Sequence, residues 1–410
     1  MPQSTDRPSG ATTMRVTSAD DARPLPRDSE ALPKVLVVGQ GPPTTGGIPT
    51  YVTELMADPW LRSRVHMDYL NTHPRGVKRP GKLTLANLLD ALTHAWTVFG
   101  RATRADIVHL NLAATPGLPM LRALLLCAAA KAAGAGVILH AHSNQLEWCL
   151  PSLRFRFLIE LGSPFYDRLI AVSQVATAQL GEFRPAVVRK TLHLKNGVDH
   201  TMFRSPPKDA DPPILSFAGT ISERKGLIDL RDALLLVARD YPGNALPVRV
   251  LIAGDGRQEG PGAFERMTRA YAEVGLDEVE FLGSLERKEV IDLLARTDIF
   301  CFPSYLEGAP LSVLEAMASG TAVISTKVAD VPSMLDHGRA GILIEPGDVA
   351  ALAGSIKRLL DDPHERARMG NAARRRIEDE YSQAVMIGSL YHLYLEIVEE
   401  RGNRQSAVAD

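Results

Sequence analysis

From Lys34 onward the chain alternates short β-branched runs with helix-length segments, and this alternation limits its fold more than any other feature. The runs are VLVV (Val35 to Val38), VHMDYL (Val65 to Leu70), DIVHLNL (Asp106 to Leu112), VILHA (Val137 to Ala141) and RLIAVS (Arg168 to Ser173). Repeated strand and helix predict a parallel sheet wrapped by helices, because parallel neighbours need a crossover between them. Asn196-Gly197, Ser205-Pro206-Pro207 and Asp211-Pro212-Pro213 then form a turn-rich stretch that reads as a linker. A second series follows: ILSFAG (Ile214 to Gly219), VRVLIAG (Val248 to Gly254), VEFLG (Val279 to Gly283), IFCFPS (Ile299 to Ser304), AVIST (Ala322 to Thr326) and GILIE (Gly341 to Glu345). At 410 residues the chain is too long for one ordinary core, so the expectation is two α/β domains meeting at a cleft, where ligands usually bind.

The expected division is a disordered tail over 1–32, a first domain over 33–205 and a second over 206–382. An amphipathic segment over 383–400 would cross back onto the first domain, followed by a disordered tail over 401–410. The first thirty residues are rich in Ser, Thr, Asp, Arg and Pro, with no apolar stretch of the secretory kind. A net charge of −2 gives no basic field for nucleic acid or an anionic membrane, so nucleic acid is excluded as a first reading. Cys127, Cys149 and Cys301 are odd in number and widely spaced, and read as buried thiols of a reducing cytoplasm. The most apolar run, Leu118 to Ala133, is broken by Arg122 and Lys131 and falls short of a membrane span. The expectation is a cytoplasmic protein, soluble or peripheral at the membrane, with no strong basic amphipathic helix in the first domain to demand attachment.

In sheets of this kind ligands sit at the carboxyl ends of strands, where loops and helix N-termini present amides to anions. Four groups fall there. Gly39-Gln40-Gly41 through Gly46-Gly47-Ile48 follows the first strand, and its glycines allow close backbone approach. Pro42, Pro43 and Thr44 break the G-x-G-x-x-G spacing, which disfavours a dinucleotide site and an NAD-dependent dehydrogenase. A plain strand-to-helix turn remains the alternative. His109, His140 and His142 end predicted strands, and His140 and His142 share a face by strand alternation. A lone strand-end histidine is more often structural, and three in one sheet favour function modestly. Gly219 to Gly226 (GTISERKG) places Arg224 and Lys225 at a helix start, suited either to a diphosphate or to solvent. Glu307 lies in the loop before a helix starting near Leu311, and Glu315 in that helix's second turn, so two carboxylates could meet the hydroxyls of one extended ligand. Their apolar, glycine-rich flanks argue against a pair of surface acids.

These groups, with Lys195-Asn196-Gly197-Val198-Asp199, Gly254-Asp255-Gly256, PSYLEGAPLSVLEAMASG and Glu345-Pro346-Gly347-Asp348, resemble the retaining GT-B glycosyltransferases, in particular glycosyltransferase family 4. The resemblance spans roughly Lys34 to Glu400 and is most specific in the second domain. It implies a GT-B fold, with two Rossmann-like parallel-sheet domains facing across a cleft. It also implies a hexosyltransferase that uses a UDP- or GDP-sugar as cosubstrate, with no cofactor, in polysaccharide or glycoconjugate assembly. Nothing in the motifs resembles an Asp-x-Asp metal site between strand and loop, so activity without a metal is expected. Carried over by residue, Glu307 would bind the donor hexose, Glu315 the ribose, Lys225 the diphosphate, and His142 would line the sugar pocket. Gly46, Gly47, Gly219, Thr220, Arg224, Gly254, Ala309, Pro310 and Leu311 complete the implied donor site, and His109, His140 and Asn144 the implied acceptor side. Pro310 has no N–H to offer. Thr220 stands where the family often carries arginine, and Arg224 is the expected substitute. The acceptor would be a sugar, a lipid-linked sugar or a small molecule, and a lipid acceptor would bring peripheral membrane contact. Competing readings are a phosphorylase or epimerase on the same fold, and a catalytically silent partner subunit.

Overall fold

The computed structural model describes residues 12–13, 32–44, 47–73, 84–142, 146–203, 211–256, 259–260, 262–276 and 279–409. It divides into two units, Met1–Lys195 with Val385–Asp410, and Asn196–Ala384.

The first unit is built on a parallel sheet of β1 (Thr12–Thr13), β2 (Lys34–Gly39), β3 (His66–Asn71), β4 (Ile107–Leu112), β5 (Gly136–Ala141), β6 (Arg168–Ala171) and β7 (Thr191–His193), in the order β1-β7-β6-β5-β4-β2-β3. Every residue of β4 and β5 is buried, as strands covered on both faces must be. One face packs Leu110, Leu139 and Val98 with Phe155. The other packs Val37, Ile107 and Ile138 against Leu390, Tyr391 and Tyr394 of the long helix Gln383–Ala409. Gly136 lets that helix come close: a Cβ there would stand 2.6 Å from Ile397 Cγ2. Arg168 fixes the helix from the sheet side, with Glu396 and Glu400 each 2.5 Å from its Nη2.

The second unit has a parallel sheet of β8 (Ile214–Ala218), β9 (Arg249–Ala253), β10 (Val279–Gly283), β11 (Ile299–Phe302), β12 (Ala322–Thr326) and β13 (Ile342–Ile344), ordered β10-β9-β8-β11-β12-β13. Its core joins Phe217, Ile252, Phe300 and Ile324 to helix residues such as Leu234, Leu314 and Ile356.

Several expectations need correction. Residues 401–409 are helical, not a disordered tail, because Arg401 reaches the Gly134 carbonyl and Arg404 pairs with Glu400 at 3.7 Å. The short strand β1 lies within the expected N-terminal tail and pairs with β7. The second unit begins ahead of the expected linker, because the Val198 amide donates to Tyr381 O and the Gln383 amide to Val198 O, both at 2.9 Å, while Phe203 enters its core. Residues 204–210 of that linker lie outside the described residues. Cys127 and Cys301 are buried, whereas Cys149 is half-buried. Among the described residues no helix is long and apolar enough to cross a membrane.

Candidate active site

In the second unit the carboxyl ends of β9, β8 and β11 are adjacent, and two glycines let their loops touch through backbone alone. Gly254 has φ +137°, and a Cβ on it would fall 1.7 Å from Gly219 O. Gly226 has φ +71°, and a Cβ there would fall 2.0 Å from Pro303 O. The Gly219 amide donates to Ala253 O at 3.0 Å and that of Ile221 to Asp255 O at 2.8 Å. Thr220 thus sits in a turn pinned on both sides.

This packing brings Lys225 to Glu307. Lys225 Nζ is 2.5 Å from Glu307 Oε1, which also accepts from Ser304 Oγ at 2.6 Å. The ammonium lies 4.9 Å above the Phe302 ring. Both charged residues are buried, with Glu307 5% and Lys225 9% exposed, so neither is a surface cap. Burial pulls the Lys225 pKa below the usual lysine value, against the Glu307 carboxylate that holds its proton on. Arg224 is spent on structure: its Nη1 donates to Leu306 O at 2.8 Å and stands 3.9 Å from Glu307 Oε1.

Glu315 lies in the second turn of the helix Leu311–Ala318, which starts where the Pro310 spacing predicts. Its carboxylate is bound by Arg287, whose guanidinium lies 5.3 Å over the Phe203 ring. Burial raises the Glu315 pKa while the Arg287 charge opposes the rise. Pro310 supplies no side-chain cap, so the first-turn amides after it are suited to an anion, and Asn196 Nδ2 holds Ala309 O at 3.2 Å. Ser222 Oγ in the GTISERKG loop is buried and has no hydrogen-bond partner among the described residues. Sequence reasoning missed Ser304, Arg287 and Ser222. Ser304 lies within the strand run it singled out, but Arg287 sits in a Glu-Arg-Lys surface-like string 28 residues before its partner, and no local signal marks it.

The first unit holds the histidines. His142 Nε2 lies 2.9 Å from Asn111 Oδ1, while Asn111 Nδ2 donates to His109 O at 3.4 Å. That orientation makes His142 Nε2 the donor and leaves Nδ1 as an acceptor. His140 and His142 do share a face, with ring centroids 3.9 Å apart, and Tyr51 packs on both at 5.1 and 4.7 Å. His109 departs from its expected acceptor-side place: it is 0% exposed and both ring nitrogens are occupied, Nδ1 by Tyr394 Oη at 2.8 Å and Nε2 by His140 Nδ1 at 3.2 Å. If Tyr394 is to place its buried proton, it donates to His109, which then donates to His140, leaving His140 with a proton on Nε2. That atom and Tyr51 Oη are buried without a partner among the described residues. Gly47 opens the helix Gly47–Ala57 in open space, with nothing within 4 Å of where a Cβ would be. Gly46 and Asn144 lie outside the described residues.

Desolvation, with the His142 charge adding to it, lowers the His109 pKa to about 3, and desolvation lowers that of His142 to about 3. Desolvation is also the first cause for His140, which falls well below 6.5. The unfolded chain therefore takes up protons near pH 6.5 that the folded chain refuses, and stability is lost as pH falls from there towards 3. The expected slope is up to about 1.4 kcal/mol per pH unit for each buried histidine. Melting temperatures between pH 7 and pH 5 should fall in the native chain and fall less in His109→Asn. An equal slope in both would remove the histidines from the account.

A family model described as Glycosyl transferases group 1 matches residues 198–376, which lie in the second unit. The chain is 29% identical over 392 residues to the GDP-mannose-dependent monoacylated alpha-(1-6)-phosphatidylinositol monomannoside mannosyltransferase of Corynebacterium glutamicum, covering 86% of this chain and 95% of that protein. It is 30% identical over 242 residues to glycogen synthase of Mycobacterium tuberculosis, covering 58% of this chain and 56% of that one, about half the relative's length. Among solved structures, HepE of Anabaena in complex with UDP superposes with a TM-score of 0.65 at 19% identity, over 91% of this chain and 100% of that one. An identity that low speaks for fold alone. The chain has the GT-B fold of glycosyltransferases, and its second unit carries the match to Glycosyl transferases group 1.

Proposed function

We propose that the chain is a retaining glycosyltransferase that moves a hexosyl unit from a UDP- or GDP-sugar to a hydroxyl acceptor, without cofactor or metal. The observation that carries this reading is the buried Lys225–Glu307–Ser304 cluster beside the uncapped helix Leu311–Ala318. A buried ammonium and free amides at strand ends suit a departing diphosphate, and two buried carboxylates suit sugar and ribose hydroxyls. Lys225 faces the diphosphate with the amides near Leu311, and Ser222 Oγ offers a further contact. Glu307 accepts from donor hexose hydroxyls and Glu315 from the ribose. His142 offers Nδ1 to a ligand hydroxyl. Arg224 braces the Leu306 loop, so it is not assigned to phosphate in place of the arginine absent at Thr220.

In the reaction the bond from the anomeric carbon to the phosphate oxygen breaks as the acceptor oxygen bonds to that carbon from the same face. The acceptor proton passes to the leaving phosphate. Electrostatic stabilisation of the leaving group is the main catalytic effect. The relatives support the substrate class: the Corynebacterium protein is named for GDP-mannose and a phosphatidylinositol mannoside, and HepE was crystallised with UDP. The acceptor is taken as a sugar or lipid-linked sugar in glycoconjugate assembly.

The test is incubation with UDP- and GDP-sugars, a panel of sugar and lipid-linked acceptors, and EDTA. The expected result is nucleoside diphosphate released in step with a product of unchanged anomeric configuration. A product of inverted configuration, or turnover abolished by EDTA and restored by manganese, would contradict the retaining or metal-free part.

A further inference from the structure

Asn111 lies near the carboxyl end of β4, opposite His140 of β5, and is 1% exposed. An amide so buried is stable only where its bonds are made inside the protein. Its side chain makes two: Oδ1 lies 2.9 Å from His142 Nε2, and Nδ2 donates to the His109 carbonyl at 3.4 Å. Turning the amide over would set its oxygen against that carbonyl, so its orientation is fixed and His142 Nε2 carries the proton of that bond. Gly39 makes the room, since a Cβ there would stand 3.0 Å from Val52 Cγ2 and 3.2 Å from Asn111 Cβ. His142 is held from other sides as well. Its amide donates to Leu112 O at 2.9 Å, and its ring packs on those of His140 and Tyr51, with centroids 3.9 and 4.7 Å away. The residue is half-buried and its Nδ1 has no hydrogen bond among the described residues, so Nδ1 is the atom open to a ligand. Burial lowers the pKa of the ring to about 3, which leaves it neutral at pH 7.

We propose that Asn111 is a positioning residue: it holds His142 in the tautomer protonated on Nε2, so that Nδ1 meets the substrate only as a hydrogen-bond acceptor. A neutral imidazole has one donor and one acceptor, and the bond made by one nitrogen decides the part played by the other. With Nε2 committed to Asn111, the group opposite Nδ1 has to bring its own proton. A hydroxyl does so. A carboxylate or phosphate oxygen would set lone pair against lone pair, and a deoxy position would leave Nδ1 unpaired. The contact therefore selects an uncharged, hydroxyl-bearing sugar at that point. A histidine free to turn or to change tautomer would not enforce this choice. The inference takes its sugar substrate from the proposed reaction, whereas the tautomer is a property of the unliganded chain.

Nitrogen NMR of the imidazole rings in the full chain, labelled at histidine, reads the tautomer with no substrate present. The His142 signals are those that His142→Gln removes. The native chain should show a protonated Nε2 and a bare Nδ1. In Asn111→Leu, which offers no acceptor, a share of the rings should move the proton to Nδ1, because a buried donor without a partner is disfavoured. Asn111→Ala repeats the measurement should the larger side chain lower the melting temperature. Sugar transfer by Asn111→Leu should fall about tenfold, the loss of one well-placed hydrogen bond. Asn111→Leu with His142→Leu should fall no further than His142→Leu alone, since Asn111 acts through that ring. A native chain with its proton on Nδ1, or with both tautomers populated, overturns the proposal. So does a fall in transfer with the His142 tautomer unchanged, or losses that add in the double variant. A native chain with the expected tautomer and no transfer from any donor would contradict the proposed reaction instead, and the tautomer would still stand as Asn111's work.

Discussion

Lys225→Met is expected to lower sugar transfer by about 10²–10³-fold, the usual loss when one preorganised stabiliser of developing charge is removed. The same change strips the buried Glu307 of its nearest cation, leaving Ser304 at 2.6 Å and the Arg224 guanidinium at 3.9 Å. Breaking a buried pair from one side costs about 3–5 kcal/mol, because the survivor stays charged in a place that water does not reach. The two effects separate in a double variant. Lys225→Met with Glu307→Leu should recover most of the lost stability while activity stays absent. Denaturant unfolding followed beside initial rates checks both, and a double variant as unstable as the single one would show that the pair is not what the site rests on.

Arg287→Met should destabilise the second unit by about 3 kcal/mol at neutral pH, again by leaving a buried carboxylate alone. Here the sign with pH is diagnostic. Burial raises the Glu315 pKa above its ordinary 4.5 and Arg287 opposes that rise, so removing the arginine raises it further. A group whose folded pKa is raised binds its proton more tightly in the folded state, and stability falls as pH climbs through the window above 4.5. The gap between Arg287→Met and the native chain should therefore be widest near pH 7–8 and should close below about pH 4, where Glu315 is protonated in both. Unfolding curves across that range measure it. A gap that does not change with pH would mean that Arg287 acts by packing on Phe203 and not by charge.

The fold was legible because its signal is long and repeated. Apolar runs at strand length, each followed by a helical pattern, returned β2 to β6 and all six strands of the second sheet within a residue or two. β7 escaped because three residues, Thr191–His193, run straight into the Lys195-Asn196-Gly197 turn and carry no periodicity of their own. In the site, two residues singled out beside glycine turns, Lys225 next to Gly226 and Glu307 in the loop before Pro310, lie together in the fold. Arg287 was invisible, since its meaning comes from Glu315 on another element. His109 looked like a ligand-facing residue, because strand position cannot show that Tyr394, 285 residues away, takes its ring nitrogen.

The central claim is that the second unit receives a nucleotide sugar through Lys225, Glu307, Glu315 and the Leu311 helix. Calorimetric titration of the full chain with a set of UDP- and GDP-sugars tests it without knowledge of the acceptor. One donor base should bind, at least tenfold more weakly to Glu315→Ala and to Lys225→Met than to the native chain. Native protein that binds none of the donors, or variants that bind as tightly as the native chain, would contradict it.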